Sequence, residues 1–324
     1  MSFIADLTSP TIEWVARQII WRSPFLYRLK NKYVKKKKNM APLKSLSAEE
    51  LEDALTSIGV GSKSSVTLVH SSVTSWRLKD GNHHLMDEFE TARETLRVLL
   101  KINDGKTLVM PTHPFYRETV KNPFFSTKSL KLKYDPRRTP CETGLINEMF
   151  RTMPGVERSL YPLNNISCFG PKTKEILKGN LETPSGTPHG EGSGYYNIFK
   201  NNALVVSIGV PLPKHLTIAH VAEDVRYEFW PKWFYRNRHF DVVTPEGVQS
   251  IVIRERHPDT RRCICEKAIE RDLCKNGIIH KESFNGILFH WAMAQDVVHY
   301  ILKRNGKNGN YPFYLLNLAG PISQ

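Results

Sequence analysis

Apolar positions recur at helical spacing in some stretches of this chain and run unbroken in others, and the two patterns alternate. Ser47 opens the first helical stretch. Its side chain can cap a helix while Glu50 reaches back to it, Leu51, Ala54, Leu55 and Ile58 supply the apolar stripe, and Gly59 ends it. Residues 65–70 follow as a short β-branched run of buried-strand character. Residues 85–100 return to helical spacing, with Met86, Phe89, Ala92, Leu96, Leu99 and Leu100 on the apolar side, and Asp104-Gly105 turns the chain into a second buried strand at 107–110. A helix at 145–153, ended by Pro154-Gly155, precedes a third buried strand at 203–209. After about Tyr227 the pattern loosens into aromatic and basic stretches with short strands near Val242 and Ile251, and a last helix is expected around 293–302. Strands alternating with helices predict a layered α/β domain, with no internal repeat and no linker long enough to force a second one.

Composition narrows the class. With 324 residues, 40% hydrophobic and 10% aromatic, the chain can fill a substantial core. No apolar run reaches membrane-spanning length, and the N-terminus lacks the apolar core and cleavage site of a signal peptide, so a cytoplasmic protein is expected. Five cysteines, an odd number in a chain this long, suit a reducing compartment better than a disulfide framework. Cys263-x-Cys265 has only Cys274 and His257 nearby and lacks the paired spacing of a zinc site, so no metal is expected.

The net charge of +14 is unevenly spread, for residues 1–45 carry +8 of it and the other 279 residues +6. That segment reads as a basic extension preceding a domain at 46–324, with Ile12, Val15, Ile19 and Ile20 at helical spacing and the run Lys35-Lys36-Lys37-Lys38. Three uses stay open. Residues 12–38 suit the surface of an anionic membrane, they equally suit a solvated tail or a helix docked on the domain, and nucleic acid is disfavoured because no recognition motif accompanies the charge.

Four features carry candidate chemistry. Directly after the strand at 203–209 comes Thr217-Ile218-Ala219-His220-Val221-Ala222-Glu223. If Thr217 caps a helix there, His220 and Glu223 share a face, and a carboxylate beside an imidazole fixes its tautomer and makes it a general base. His70-Ser71-Ser72 ends the first buried strand and offers hydroxyls and N–H groups to a phosphate or a carbonyl oxygen. The loop at 183–194 has Gly190, Gly192 and Gly194 at alternate positions without the preceding strand of a dinucleotide fingerprint, and is read as backbone that approaches a ligand. Arg158-Ser159 follows a Pro-Gly turn.

These features stand in an order that resembles the aminoglycoside 3-N-acetyltransferase family. The matching elements are Leu68-Val69-His70-Ser71-Ser72, Gly105 to Thr112, Tyr134-Asp135-Pro136, Gly144 to Arg151, Pro154 to Ser159 with Pro162 and Gly170, Gly190-Glu191-Gly192-Ser193, and Thr217-x-x-His220-x-x-Glu223. The resemblance implies a three-layer α/β/α sandwich with a mixed central sheet that binds acetyl-CoA and acetylates an amine directly. His220 would act as base and Glu223 would orient it, while His70, Ser71, Ser72, Thr112, Arg158, Ser159 and Ser193 would hold acetyl-CoA. The chain departs from the family at Tyr161, where members have a histidine, and at Gly194, where they have a proline. The basic charge and the cluster of Arg226, Tyr227, Trp230, Lys232, Trp233, Phe234, Tyr235, Arg236, Arg238 and His239 favour an anionic acceptor, a nucleotide- or lipid-linked amino sugar of surface polysaccharide synthesis. The alternatives are an aminoglycoside antibiotic acceptor, a non-catalytic relative that binds an acidic partner, and an acyltransferase using Cys141 or Cys168 as nucleophile.

Overall fold

The computed structural model describes residues 43–114, 116, 132–179, 181, 183–210, 216–257, 260 and 266–304, with scattered positions between 19 and 33. In chain order the elements are β1 (Lys44–Leu46), α1 (Ala48–Ile58), β2 (Val66–Ser71), β3 (Trp76–Leu78), α2 (Glu88–Ile102), β4 (Thr107–Pro111), β5 (Leu132–Tyr134), α3 (Leu145–Arg151), β6 (Glu157–Arg158) and β7 (Ile166–Phe169). They continue with α4 (Thr173–Leu177), α5 (Gly194–Lys200), β8 (Leu204–Ile208), α6 (His220–Asp224), β9 (Tyr235–Thr244), β10 (Gly247–Arg256), α7 (Glu266–Lys275), β11 (His280–Phe284), β12 (Ile287–Met293) and α8 (Ala294–Arg304).

Seven strands make one mixed sheet in the spatial order β11-β12-β8-β2-β4-β7-β6. At its centre β8, β2 and β4 run parallel, while β12 and β7 flank them antiparallel. Alternation along the buried strands sends side chains to two separate cores. Val66, Leu68, Val109 and Val205 point to one face, where Ile176, Ile198, Val221, Leu273, Val297 and Ile301 of α4, α5, α6, α7 and α8 cover them. Val69, Leu108, Met110 and Val206 point to the other, against Leu51, Leu55, Ala92, Leu96, Ile146 and Phe150 of α1, α2 and α3. This is the three-layer α/β/α sandwich with a mixed sheet.

α1 has the expected capping box, the Ser47 side chain accepting from Glu50 N–H at 3.1 Å and Glu50 accepting from Ser47 N–H at 2.7 Å, and Gly59 closes it in the left-handed conformation. β1 pairs in parallel with β3, so the folded unit includes Lys44 and Ser45, within the stretch read as extension. Most of the extension, including the lysine run, lies outside the described residues, as do Cys263 and Cys265. α2 starts later than residue 85 because Asp87 and Glu90 form a second capping box. Leu85 instead pairs with Lys79, and Phe89 falls in the first turn facing water, 55% exposed, rather than on the apolar side.

A second, three-stranded sheet, β10-β9-β5, packs Tyr134, Phe240, Val242 and Ile253 against Tyr161 and Leu163. The short strands expected near Val242 and Ile251 are thus one long antiparallel hairpin of ten paired positions. The aromatic and cationic cluster is mainly packing. Trp230 stacks on buried Phe234, and Arg236 and Arg238 both pair with Glu255, at 2.7 Å and 3.1 Å, so these cations are matched within the chain. No described helix is long and apolar enough to cross a membrane.

Candidate active site

Three parallel strands deliver their C-terminal ends to one edge of the sheet, which is where open α/β sheets gather ligand-binding groups. β2 ends there at His70 and Ser71, β4 continues into Thr112 and His113, and the segment after β8 leads to α6. Thr217 does not cap that helix. Residues Thr217–Ala219 form a 3-10 turn without a side-chain cap, and α6 begins at His220 itself. The tight turn is buried through Ile218 and Ala219, and the two residues of interest still share a face.

His220 Nδ1 lies 3.0 Å from Glu223 Oε2. The imidazole keeps 30% of its side chain exposed, while the carboxylate beneath it is 1% exposed. Burial works to raise the Glu223 carboxyl, but the Arg256 guanidinium and the His220 imidazole outweigh it and hold the group below the usual carboxylate range. Glu223 is therefore a buried anion facing Nδ1 of the His220 ring.

A second histidine–carboxylate pair adjoins the first. His189 Nδ1 lies 3.1 Å from Asp224 Oδ2, which also accepts the His189 backbone N–H at 3.0 Å, and Tyr235 donates its hydroxyl to Asp224 Oδ1 at 2.7 Å. Both side chains of the pair are fully buried. Desolvation pushes His189 down to about 4, so the ring is neutral, and its Nε2 has no hydrogen-bond partner among the described residues. The two histidine rings are 5.2 Å apart, and the His189 ring is 4.9 Å from Tyr195, whose hydroxyl lies 3.1 Å from His113 Nε2. A chain of rings thus joins the end of β4 to His220. Arg256, from β10, reaches into this cluster and donates to Glu223 Oε2.

Sequence reading missed His189, Asp224, Tyr235 and Arg256 as a group. Asp224 follows Glu223 and His189 sits in the glycine loop, yet nothing in the spacing of 189, 224, 235 and 256 marks them as neighbours. The loop also has a different logic from the one expected. A Cβ on Gly190 would lie 2.2 Å from Ser185 Oγ and 2.4 Å from Thr187 Oγ1, so the missing side chain makes room for the loop's own hydroxyls. Tyr161, one of the departures from the family pattern, donates its hydroxyl to Gly186 O at 2.8 Å and so ties this loop to the small sheet.

The residues expected to hold acetyl-CoA divide by what they already bond. Arg158 spends its guanidinium on the carbonyl oxygens of Thr112, Pro136 and Thr139 and lies over the Tyr134 ring. Thr112 Oγ1 bonds Asn165 and Ser167, Ser159 Oγ accepts Tyr161 N–H, and Ser193 caps α5. His70 is buried at the sheet edge, Ser71 Oγ is buried there with no partner among the described residues, and Ser72 bonds Thr74. Cys141 and Cys168 are buried thiols whose burial pushes them above the usual range, the reverse of a nucleophile. Among the described residues no group of His, Cys, Asp and Glu is arranged to hold a metal ion.

Comparison with known proteins bears on this geometry. Among solved structures, the apoenzyme of aminoglycoside acetyltransferase AAC(3)-IVa is 21% identical, with 82% of this chain and 90% of that chain covered and a TM-score of 0.61. Aminoglycoside acetyltransferase AAC(3)-Xa is 16% identical over 87% of this chain and 99% of that one, with a TM-score of 0.64. AAC-IIIb, solved with CoASH, is 19% identical over 81% and 98%, with a TM-score of 0.61. At these identities the likeness shows the fold. No curated protein sequence matches the chain. The model of the aminoglycoside 3-N-acetyltransferase family matches residues 68–304, a span running from β2 to the end of α8, and the chain accordingly belongs to that family of N-acetyltransferases.

Proposed function

We propose that this protein transfers the acetyl group of acetyl-CoA to an amine of an aminoglycoside-type amino sugar, with His220 as general base and Glu223 as the group that orients it. One observation carries the reading: a partly exposed imidazole whose Nδ1 is held by a fully buried carboxylate, at the edge where the parallel strands end. An ammonium has no lone pair, so the acceptor attacks as the free amine, its first proton having gone to solvent, and must lose a second as the C–N bond forms. Nε2 of His220 takes it as nitrogen bonds to the thioester carbonyl carbon, the C–S bond breaks, and the proton passes to the departing thiolate. Ser71 Oγ, buried and without a partner among the described residues, is the side chain with capacity to meet acetyl-CoA, while Arg158, Thr112, Ser159 and Ser193 shape that edge from behind.

Support for the acceptor class comes from the family and from relatives. AAC(3)-IVa has been solved with apramycin and with a gentamicin, and AAC-VIa with sisomicin. The expectation of a nucleotide-linked acceptor leaned on the basic charge of the chain and on the cluster around Arg236 and Arg238, and the pairing of those two with Glu255 weakens the second ground. The test is thiol release from acetyl-CoA against aminoglycosides, free amino sugars and nucleotide-linked amino sugars. Turnover of aminoglycosides is expected. Turnover confined to nucleotide-linked sugars would overturn the acceptor, and none with any amine would favour a non-catalytic relative. In the same assay His220→Ala should lower kcat by about 10²–10⁴ with the fold intact. Activity that survives in His220→Ala would sink the mechanism.

A further inference from the structure

Arg256 closes β10 of the small sheet, yet its guanidinium is 13% exposed and lies among the groups of α6. Nη1 donates to Glu223 Oε2, the oxygen that also faces His220 Nδ1, and Nη1 itself lies against Nδ1. Nη2 is 3.4 Å from His189 Nδ1. A guanidinium can only donate, so His220 Nδ1 has two alternatives. It can accept from Arg256, in which case its lone pair also confronts the carboxylate oxygen at 3.0 Å in a buried site. Or it can donate to Glu223, in which case imidazole and guanidinium are two donors on one anion. The first opposes a lone pair to an anion, the second sets two donor nitrogens 2.5 Å apart, and the second is favoured because both donors meet the same carboxylate oxygen.

The geometry points to Arg256 as a positioning residue that, by holding Glu223 as an anion, fixes His220 as the Nδ1–H tautomer with Nε2 free to take a proton. The inference rests on His220 being the base, and deepens that reading. The charged and titratable groups around His220 are Glu223 and Asp224 from its own helix, His189 from the loop before α5 and Arg256 from β10, with Tyr235 of β9 bonded to Asp224. Asp224 is already served by His189 and Tyr235, so Arg256 is the cation whose contact falls on the catalytic carboxylate.

The test uses the full chain labelled with nitrogen-15 at histidine, with His220→Gln to assign the ring signals. The wild type should show the Nδ1–H tautomer at His220. In Arg256→Gln, which keeps a donor and loses the charge, His220 should shift toward the Nε2–H tautomer, and Arg256→Lys should keep the Nδ1–H form. An Nε2–H tautomer in the wild type, or a tautomer unchanged in Arg256→Gln, overturns the inference. If Arg256→Gln does not fold, the wild-type tautomer decides by itself. With an acceptor in hand, kcat should fall in Arg256→Gln and recover in Arg256→Lys while KM for acetyl-CoA holds. If no acceptor is ever turned over, the proposed function falls, whereas the tautomer still judges the role of Arg256.

Discussion

His189 shows how a single buried side chain writes itself into the stability of the protein. Its ordinary value is 6.5 and burial depresses it to about 4 in the folded chain, so between those values the unfolded chain binds a proton that the folded one refuses. The contribution is complete above 6.5 and is lost as pH falls toward 4. Going from about pH 7.5 to about pH 5, the ring should cost about 2 kcal/mol of unfolding free energy, a loss that His189→Gln abolishes when both proteins are unfolded in urea. Glu223 and Asp224 act lower. Held below the usual carboxylate range, they stabilise above it and lose that contribution as pH falls through their folded values. Arg158 offers the contrast of a charge used as a bracket. Its hydrogen bonds to the carbonyls of Thr112, Pro136 and Thr139 should make Arg158→Lys destabilising by about 2 kcal/mol, with KM for acetyl-CoA within about twofold of wild type. A large rise in that KM at unchanged stability would instead return Arg158 to the donor site.

Helices and strands are legible where a local signal is complete. The Ser47–Glu50 box and Gly59 set both ends of α1, and Ser47→Ala should cost about 1 kcal/mol by thermal or urea unfolding. The unbroken apolar runs became β2, β4 and β8 because strands buried on both faces admit no polar alternation. Weak signals misled. α2 begins at the Asp87 box rather than at the first apolar residue, β7 and β11 carry too little pattern to be seen, and the apolar run of β12 at 287–293 was not read as a strand. Gly170 marks one such pairing. At φ +125° after β7, its absent Cβ would lie 2.1 Å from the Lys106 carbonyl oxygen, so Gly170→Ala should destabilise by about 3 kcal/mol or more. A fully stable variant would show that the approach of β7 to β4 can relax.

The seven-stranded sheet has a helical layer on each face, and the candidate site lies where its parallel strands stop. The small sheet joins it at the site, through Arg256 on Glu223 and Tyr161 on the glycine loop. With β1 beginning at Lys44, a chain starting at residue 43 should fold and keep its turnover, while losing whatever affinity for anionic vesicles the full chain has, as a co-sedimentation assay would register. Loss of folding in that truncation would assign the basic segment to the domain itself.

Local order along the chain was enough to reveal the layered α/β class, the capped helix α1, and the pair His220 and Glu223, because a helical face and a buried run are set by neighbours three or four residues apart. It also carried the family, since motifs kept in order survive without any knowledge of contacts. The tertiary structure alone assigned Arg158 to three carbonyls, matched Arg236 and Arg238 with Glu255, and drew His189, Asp224, Tyr235 and Arg256 around His220. Those residues meet from a loop, a helix and two strands spread over nearly seventy positions, and a buried charge chooses its partner by what surrounds it in space.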